Sequence, residues 1–397
     1  MLLRRIELTD VRSYDRASLD LAAGVTLLLG RNAQGKTNLL EAVHRAATGS
    51  SHRVAGDAPL VRAGCELGVI RCRLQTDEGR ERRIELELAT GGRRTRTRVD
   101  GQPVRRAADA LGVLRVVLFA PEDTAIVRGD PSERRRFLDD LLAQRRPAYA
   151  AARADYDRAL RQRNQLLRDA RAGRQALGSA LASGLEVWTE QVVAAGAQLI
   201  AARVAAVRTL AAPTDRFYRE LADRPEPVGL VYRSTAGEAT TTSGTEDARV
   251  PDPSAVAEGL RRAFAARAEE ERARGLTLVG PHRDELELSI GPLPARGYAS
   301  HGEVWSLALA LKLATDVVLA EVGDRPVVLL DDVFAELDEV RRERLAAACR
   351  GFEQVLVTAA VEADVPLPGA RVEVALDAGV TRLHPRGPDP TGVEGAA

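Results

Sequence analysis

The chain has 397 residues, 57 of them basic and 57 acidic, with 45% hydrophobic and 29% charged content. That is enough to bury a large core in two or more structural units, and zero net charge confines any nucleic-acid binding to local patches. No uninterrupted apolar run approaches the roughly eighteen residues of a membrane span, the N-terminus lacks an export-signal core, and three cysteines at no metal spacing suit a reducing compartment, so the expectation is a cytoplasmic protein with no membrane partner.

Alternation over Leu3–Leu8 predicts a strand, and Ala17–Leu21 a second, implying an N-terminal β-rich lobe. The apolar run Val25–Leu29 then ends in Gly30, Arg31, Asn32, Ala33, Gln34, Gly35, Lys36 and Thr37, and a helical pattern begins at Asn38. This is a phosphate-loop pattern with a strand before it and a helix after it. Glycines let backbone N–H groups turn toward phosphate oxygens at a helix N-terminus, a lysine reaches the β- and γ-phosphates, and a threonine hydroxyl serves Mg²⁺. ATP and Mg²⁺ are therefore the expected ligands of residues 30–38, with Thr37 on the metal. A chance match in a glycine-containing loop is the bland alternative, but the chain has only two lysines, Lys36 and Lys312.

Residues 67–74 and 83–88 alternate as strands, followed by Arg94 to Val99 and an Asp100-Gly101 turn. Period two would put Arg94, Arg96 and Arg98 on one face. A further apolar strand, Leu114–Phe119, closes at Pro121-Glu122-Asp123. From Pro131 to about Leu221 helical spacing predicts two or three long helices, broken at Pro147 and near Gly173, with heptads too irregular for an extended coiled coil. Residues 134–174 hold twelve Arg against five Asp. They are either a DNA-facing surface or a solvated face in an arginine-biased composition. Thr235–Pro253 reads as a flexible connection, Ser254–Arg274 as a helix, and Leu276–Val279 and Glu285–Ile290 as strands.

Ser300, His301, Gly302 and Glu303 open another helix, with capping-box spacing between Ser300 and Glu303. A plain cap and a second anion site at a helix N-terminus stand open side by side. The buried-strand run Pro326–Leu330 ends in Asp331 and Asp332, where a phosphate-loop protein places its Mg²⁺ ligand. Lys36 and Asp331 are too distant in sequence for one β-α-β unit, which implies a helical segment inserted into the nucleotide domain. The Pro/Gly-rich tail, Gly387–Ala397, is expected to be disordered.

Taken in order, the runs at 30–38 (GRNAQGKTN), 119–123 (FAPED), 129–139 (GDPSERRRFLD), 161–167 (RQRNQLL), 280–284 (GPHRD), 300–303 (SHGE) and 329–338 (LLDDVFAELD) cover nearly the whole chain. They resemble the ABC-type ATPase head of the SMC class, and more closely the bacterial RecF family of DNA-repair ATPases. The resemblance implies an α/β fold: an ABC-type P-loop head with a mixed sheet over 1–128 and 275–397, and a mainly helical insertion over 129–274. It also implies Walker A at 30–37, a signature segment at Ser300–Glu303 acting on ATP held by a second copy, Walker B ending at Asp331, and a D-loop at Ala335–Asp338. The implied activity is a weak, DNA-stimulated ATPase whose ATP-dependent homodimer binds DNA at single-strand/double-strand junctions and works with RecR and RecO to help place RecA on single strands. Catalytic roles fall to Lys36, Asp331 and Asp332, and nucleotide contacts to residues 30–38 with Ser300, Gly302 and Glu303. Two departures imply slow hydrolysis: Asp332 stands where related ATPases carry Glu, and Ala359-Ala360 follows the next strand without a histidine. An ATPase subunit of a transport or SMC-like architectural complex is the alternative. It would call for a catalytic Glu and a switch histidine, or for a long heptad arm.

Overall fold

The computed structural model describes residues 1–173, 179–222, 226–238, 242–243 and 250–386. The expected disordered tail, and most of the predicted connection between 239 and 249, lie outside the described residues. Two compact units are present, Met1–Asp123 with Thr315–Ala397, and Thr124–Ala314.

The first unit opens with β1 (Leu2–Val11), β2 (Tyr14–Asp20) and β3 (Gly24–Leu29), then α1 (Lys36–Thr48), β4 (Leu67–Gln75), β5 (Glu81–Ala89), β6 (Arg96–Val99), the two-residue β7 (Gln102–Pro103) and β8 (Val116–Phe119). In the second unit lie α2 (Thr124–Arg128), α3 (Pro131–Arg145), α4 (Pro147–Arg171), α5 (Ser179–Leu221), β9 (Val228–Arg233), β10 (Thr242–Ser243), α6 (Pro253–Arg274), β11 (Glu285–Ile290), β12 (Leu293–Pro294), the single turn α7 (Ala295–Tyr298) and most of α8 (His301–Ala320). The chain returns to the first unit through β13 (Val327–Asp331), α9 (Glu339–Cys349), β14 (Gln354–Ala359), β15 (Ala370–Asp377) and β16 (Val380–Arg386).

Two sheets build the first unit. The lobe sheet runs β2-β1-β4-β5-β6-β7 and is antiparallel; the central sheet runs β16-β15-β3-β14-β13-β8 and is parallel except for its edge strand β16. Every residue of β8, β13 and β14 is buried, as expected for parallel strands covered on both faces. Lobe strands alternate instead, since one face meets water. A single apolar cluster joins Leu39, Leu40 and Val43 of α1 to Leu118, Leu329 and Leu356 of the central sheet and to Ile6, Ile70, Ile84 and Leu86 of the lobe. The helix that follows the phosphate loop is thereby anchored to both sheets. Gln354, buried in β14, bonds the Leu3 N–H and the Leu3 and Ala22 carbonyls at 2.7–2.9 Å, which satisfies a polar side chain where none could be left unpaired.

In the second unit, helices pack beside the sheet β10-β9-β11-β12. Its interior holds buried arginines, among them Arg163 and Arg203. Arg163 reaches Glu271, Thr277 and Thr189 at 2.6–2.9 Å, and Arg203 reaches Asp139, Tyr149, Tyr232 and the Pro281 carbonyl. Such charges are tolerated only when every donor is satisfied.

Several sequence expectations change here. Leu276–Val279 is not a strand: Thr277 and Leu278 give their N–H groups to the Asn164 and Glu271 side chains, not to a neighbouring strand. Arg94 lies outside β6, so the arginine face holds only Arg96 and Arg98, and these stand opposite Glu87 and Glu85 of β5. Strands β9, β15 and β16 are additions to the sequence reading. By length and composition Ala182–Leu221 is apolar enough to cross a membrane, yet 61% of its most apolar stretch is buried within the fold, and it carries Arg203. That is the pattern of a core helix.

Candidate nucleotide site

The phosphate loop leaves β3 at the middle of the central sheet. A Cβ at Gly30 would lie 2.2 Å from the Val374 carbonyl oxygen of β15, so only glycine fits. Gly35 has φ +101°, and a Cβ there would meet Thr381 and Ser13 hydroxyls at 2.5 and 2.8 Å. Around the loop, Tyr14 Oη donates to the Gly35 carbonyl at 3.0 Å, Thr381 Oγ1 donates to the Gln34 carbonyl at 2.9 Å, and Gln34 Oε1 accepts the Leu376 N–H at 2.6 Å. The β1–β2 turn and the β15–β16 hairpin thus hold the loop from two sides.

Lys36 is 6% exposed, and its Nζ donates to the Gly30 and Arg31 carbonyls at 2.5 and 3.0 Å. Burial lowers its pKa from the ordinary lysine value, against the charges of Asp332 and Asp331, which support the cation. Asp331 ends β13 at 5% exposure, its Oδ1 accepting Thr37 Oγ1 at 2.9 Å and Thr358 Oγ1 at 2.8 Å. Burial raises its pKa against those two hydrogen bonds, and the charges of Asp332 and Glu122 raise it further. Asp332 adopts a left-handed conformation at φ 55° and gives its N–H to Thr358 Oγ1 at 2.9 Å. Asn32, Ala33, Gln34, Gly35, Lys36, Thr37, Asn38 and Asp332 line one cleft of about 430 Å³ together with Arg53.

Arg53 was not among the residues expected from sequence. Its Nη1 donates to Asn38 Oδ1 at 3.1 Å and to Glu41 Oε2 at 3.3 Å; fully buried Glu41 also takes both forks of Arg12 at 2.8 and 2.9 Å and the Ser51 hydroxyl at 2.5 Å. Burial alone would raise the Glu41 pKa, but these bonds and charges hold it below the ordinary carboxylate value.

Among the described residues no group of three or more His, Cys, Asp or Glu is arranged to hold a metal. The cleft instead offers one buried carboxylate in contact with one threonine hydroxyl. That donor set suits Mg²⁺, a hard ion that keeps several waters and takes its remaining oxygens from few protein groups and from phosphates. Thr37 and Asp331 are the residues that would hold it.

Ser300, Gly302 and Glu303 lie in the second unit, at the exposed start of α8. The Ser300 N–H donates to Glu303 Oε2 at 2.8 Å, and the Glu303 N–H to Ser300 Oγ at 3.3 Å, a reciprocal capping box. Asp338, at the end of the expected D-loop, caps α9 by accepting the Arg341 N–H at 2.9 Å.

The chain matches the family model described as RecF/RecN/SMC N terminal domain over residues 2–366. It is 48% identical over 396 residues to the DNA replication and repair protein RecF of Pseudarthrobacter chlorophenolicus, covering 94% of this chain and 98% of that one. The chain belongs to the RecF family. A second RecF, from Kineococcus radiotolerans, is 50% identical over 382 residues, 92% of this chain and 94% of that protein. Among solved structures, the recombination mediator protein RecF-ATPrS in the RecFOR pathway matches with TM-score 0.85 at 28% identity, covering 96% of this chain and 98% of that one. An SMC head domain from Pyrococcus furiosus matches with TM-score 0.54 at 17% identity over 97% and 96% of the two chains, which shows a shared fold. The architecture is therefore the α/β ABC-type ATPase head of RecF and SMC proteins, with its N-terminal β-rich lobe and a helical segment.

For a RecF-family chain, the arginine-rich stretch 134–174 is less available than its composition suggests. Arg134 is bidentate to Glu285 at 2.8 and 2.9 Å, Arg163 is bound by Glu271, Arg153 faces Asp139 and Asp157, and Arg158 faces Asp155. Much of its charge is neutralised within the unit.

Proposed function

We propose that this chain binds ATP with Mg²⁺ in the cleft of residues 30–38, hydrolyses it slowly, and uses the ATP-bound state to form a homodimer that binds DNA during recombinational repair and replication-gap processing in the cytoplasm. The observation that carries the reading is the convergence of Lys36, Thr37, Asp331 and Asp332, from two stretches far apart in a RecF-family chain, on one cleft. Bound Mg²⁺ would neutralise charge on the β- and γ-phosphates. The loop N–H groups at the start of α1 cradle phosphate, Lys36 exchanges its two loop carbonyls for phosphate oxygens, and Asp332 holds the attacking water and takes its proton. Asp332 is one methylene shorter than the Glu of related ATPases, so its reach to that water is poorer and turnover is slow. Ser300, Gly302 and Glu303 supply the cap over the γ-phosphate of a second copy. On this reading the functional head runs over 1–128 and 275–397, because one sandwiched nucleotide needs Walker A, Walker B and the Ser300–Glu303 segment, with 129–274 as the helical insertion. RecR and RecO are the proposed partners at single-strand/double-strand junctions, where the dimer helps place RecA. The test is the ATPase rate with and without gapped duplex DNA. Strong stimulation of a slow basal rate is expected, and indifference to DNA would contradict the reading.

A further inference from the structure

Thr358 lies at the end of β14, 1% exposed and directly opposite Asp331 in the parallel register of β13 and β14. Its hydroxyl is used in both directions. It donates to Asp331 Oδ1 at 2.8 Å and accepts the Asp332 N–H at 2.9 Å. One side chain thereby fixes the rotamer of the first carboxylate and the backbone of the second. The second bond matters because Asp332 is left-handed at φ 55° and ψ 23°, a conformation that is strained for a non-glycine residue and persists only where its surroundings hold it. No imidazole follows Thr358 in the chain, since Ala359 ends β14 and Ala360 comes next.

We propose that Thr358 is a positioning residue for this ATPase: through its single hydroxyl it aims Asp331 at the metal position and holds Asp332 in the turn that faces the cleft. The proposal rests on the reading of the cleft as an Mg²⁺-ATP site. Thr358→Val is nearly isosteric but removes both bonds, whereas Thr358→Ser keeps the hydroxyl, and the group that should matter is the hydroxyl rather than the methyl.

The experiment uses full-length protein and three readouts: calorimetric binding of ATPγS in EDTA, the same binding across an Mg²⁺ titration, and single-turnover ATP hydrolysis. Thr358→Val is expected to raise the Mg²⁺ concentration for half-maximal binding and to slow hydrolysis by about 10–100-fold, the usual range for a group that orients a metal ligand, while Mg²⁺-free affinity stays within about twofold. Thr358→Ser should restore both effects to within about threefold of wild type. The proposal is overturned by a wild-type Mg²⁺ requirement and rate in Thr358→Val, by Thr358→Ser as impaired as the valine variant, or by Mg²⁺-free affinity falling in proportion. Wild-type protein that binds no ATPγS at any Mg²⁺ concentration would instead overturn the ATP reading and this proposal with it.

Discussion

At the scale of single residues, the cleft is organised by Lys36 and Asp331, two charges that burial disfavours. Burial lowers the Lys36 pKa while the charges of Asp332 and Asp331 support its cation, and its ammonium donates to two loop carbonyls, bonds it can trade for phosphate oxygens. Lys36→Ala should therefore weaken ATP binding by about 100-fold or more, from the loss of two charge-assisted hydrogen bonds worth about 1.5–3 kcal/mol each, and leave thermal stability near wild type. Calorimetric titration checks this, and wild-type affinity would remove the lysine from the site. Asp332→Asn preserves shape but cannot accept a proton. Single-turnover hydrolysis should fall by about 10²-fold or more while ATP binding survives. Near-normal hydrolysis would send the search for the base to Glu303 or Glu336. Lys36, Thr37 and Asp331 were legible in sequence because each sits at a fixed offset from a strand end. Arg53 and Thr358 were not, because only the folding of loop 49–57 and the β13–β14 register bring them to the cleft. Thr358 still had one signal, a hydroxyl next to the C-terminal end of a parallel strand.

Elements tell a similar story of local patterns against tertiary partners. The buried runs of β3, β13 and β14 declare themselves by composition, and Pro147 marks the start of α4 because proline suits a first helical turn. Val372 and Val374 alternate with Arg371 and Glu373 before an Ala378-Gly379 turn, so the β15–β16 hairpin was readable. Its role in holding Gln34 and Gly35 was not. Leu276–Val279 misleads because a short run of three apolar residues and a threonine looks alike whether its N–H groups meet a strand or the side chains of Asn164 and Glu271. In the lobe, Arg96 and Arg98 face glutamates, so Arg96→Ser with Arg98→Ser should leave the salt dependence of DNA binding unchanged; a slope flatter by about 0.9 per residue would return them to the DNA surface. At α8, asparagine caps about as well as serine. Ser300→Asn should therefore preserve both helix and ATP-dependent dimer, while Ser300→Arg should abolish the dimer, read by sedimentation. Normal dimerisation of both would reduce Ser300–Glu303 to a helix start.

Across the whole molecule, stability and function draw on different charges. His282 in the second unit sits 2.6 Å from Tyr156 Oη through Nδ1 and 3.2 Å from the Thr277 carbonyl through Nε2. Burial, with nearby Arg283, Arg135 and Arg153, pushes its pKa down to about 4 despite the bond to Thr277. The folded state thus takes up this proton less readily than the unfolded chain, so stability is complete above about pH 6.5 and falls toward pH 4, by about 2–3 kcal/mol. His282→Gln should flatten that window in denaturant titrations. The first unit, carrying the cleft, has its own reserve in Glu41, whose lowered pKa holds its contribution until more acidic conditions. Function is expected to depend on nucleotide at the cleft acting over the length of a second copy and onto DNA. Sedimentation of the wild-type protein and Lys36→Ala with a gapped duplex, with and without Mg²⁺-ATP, tests this most directly. The account predicts a dimer on DNA only for wild type with Mg²⁺-ATP, whereas equal DNA-bound dimer without nucleotide, or in Lys36→Ala, would contradict it.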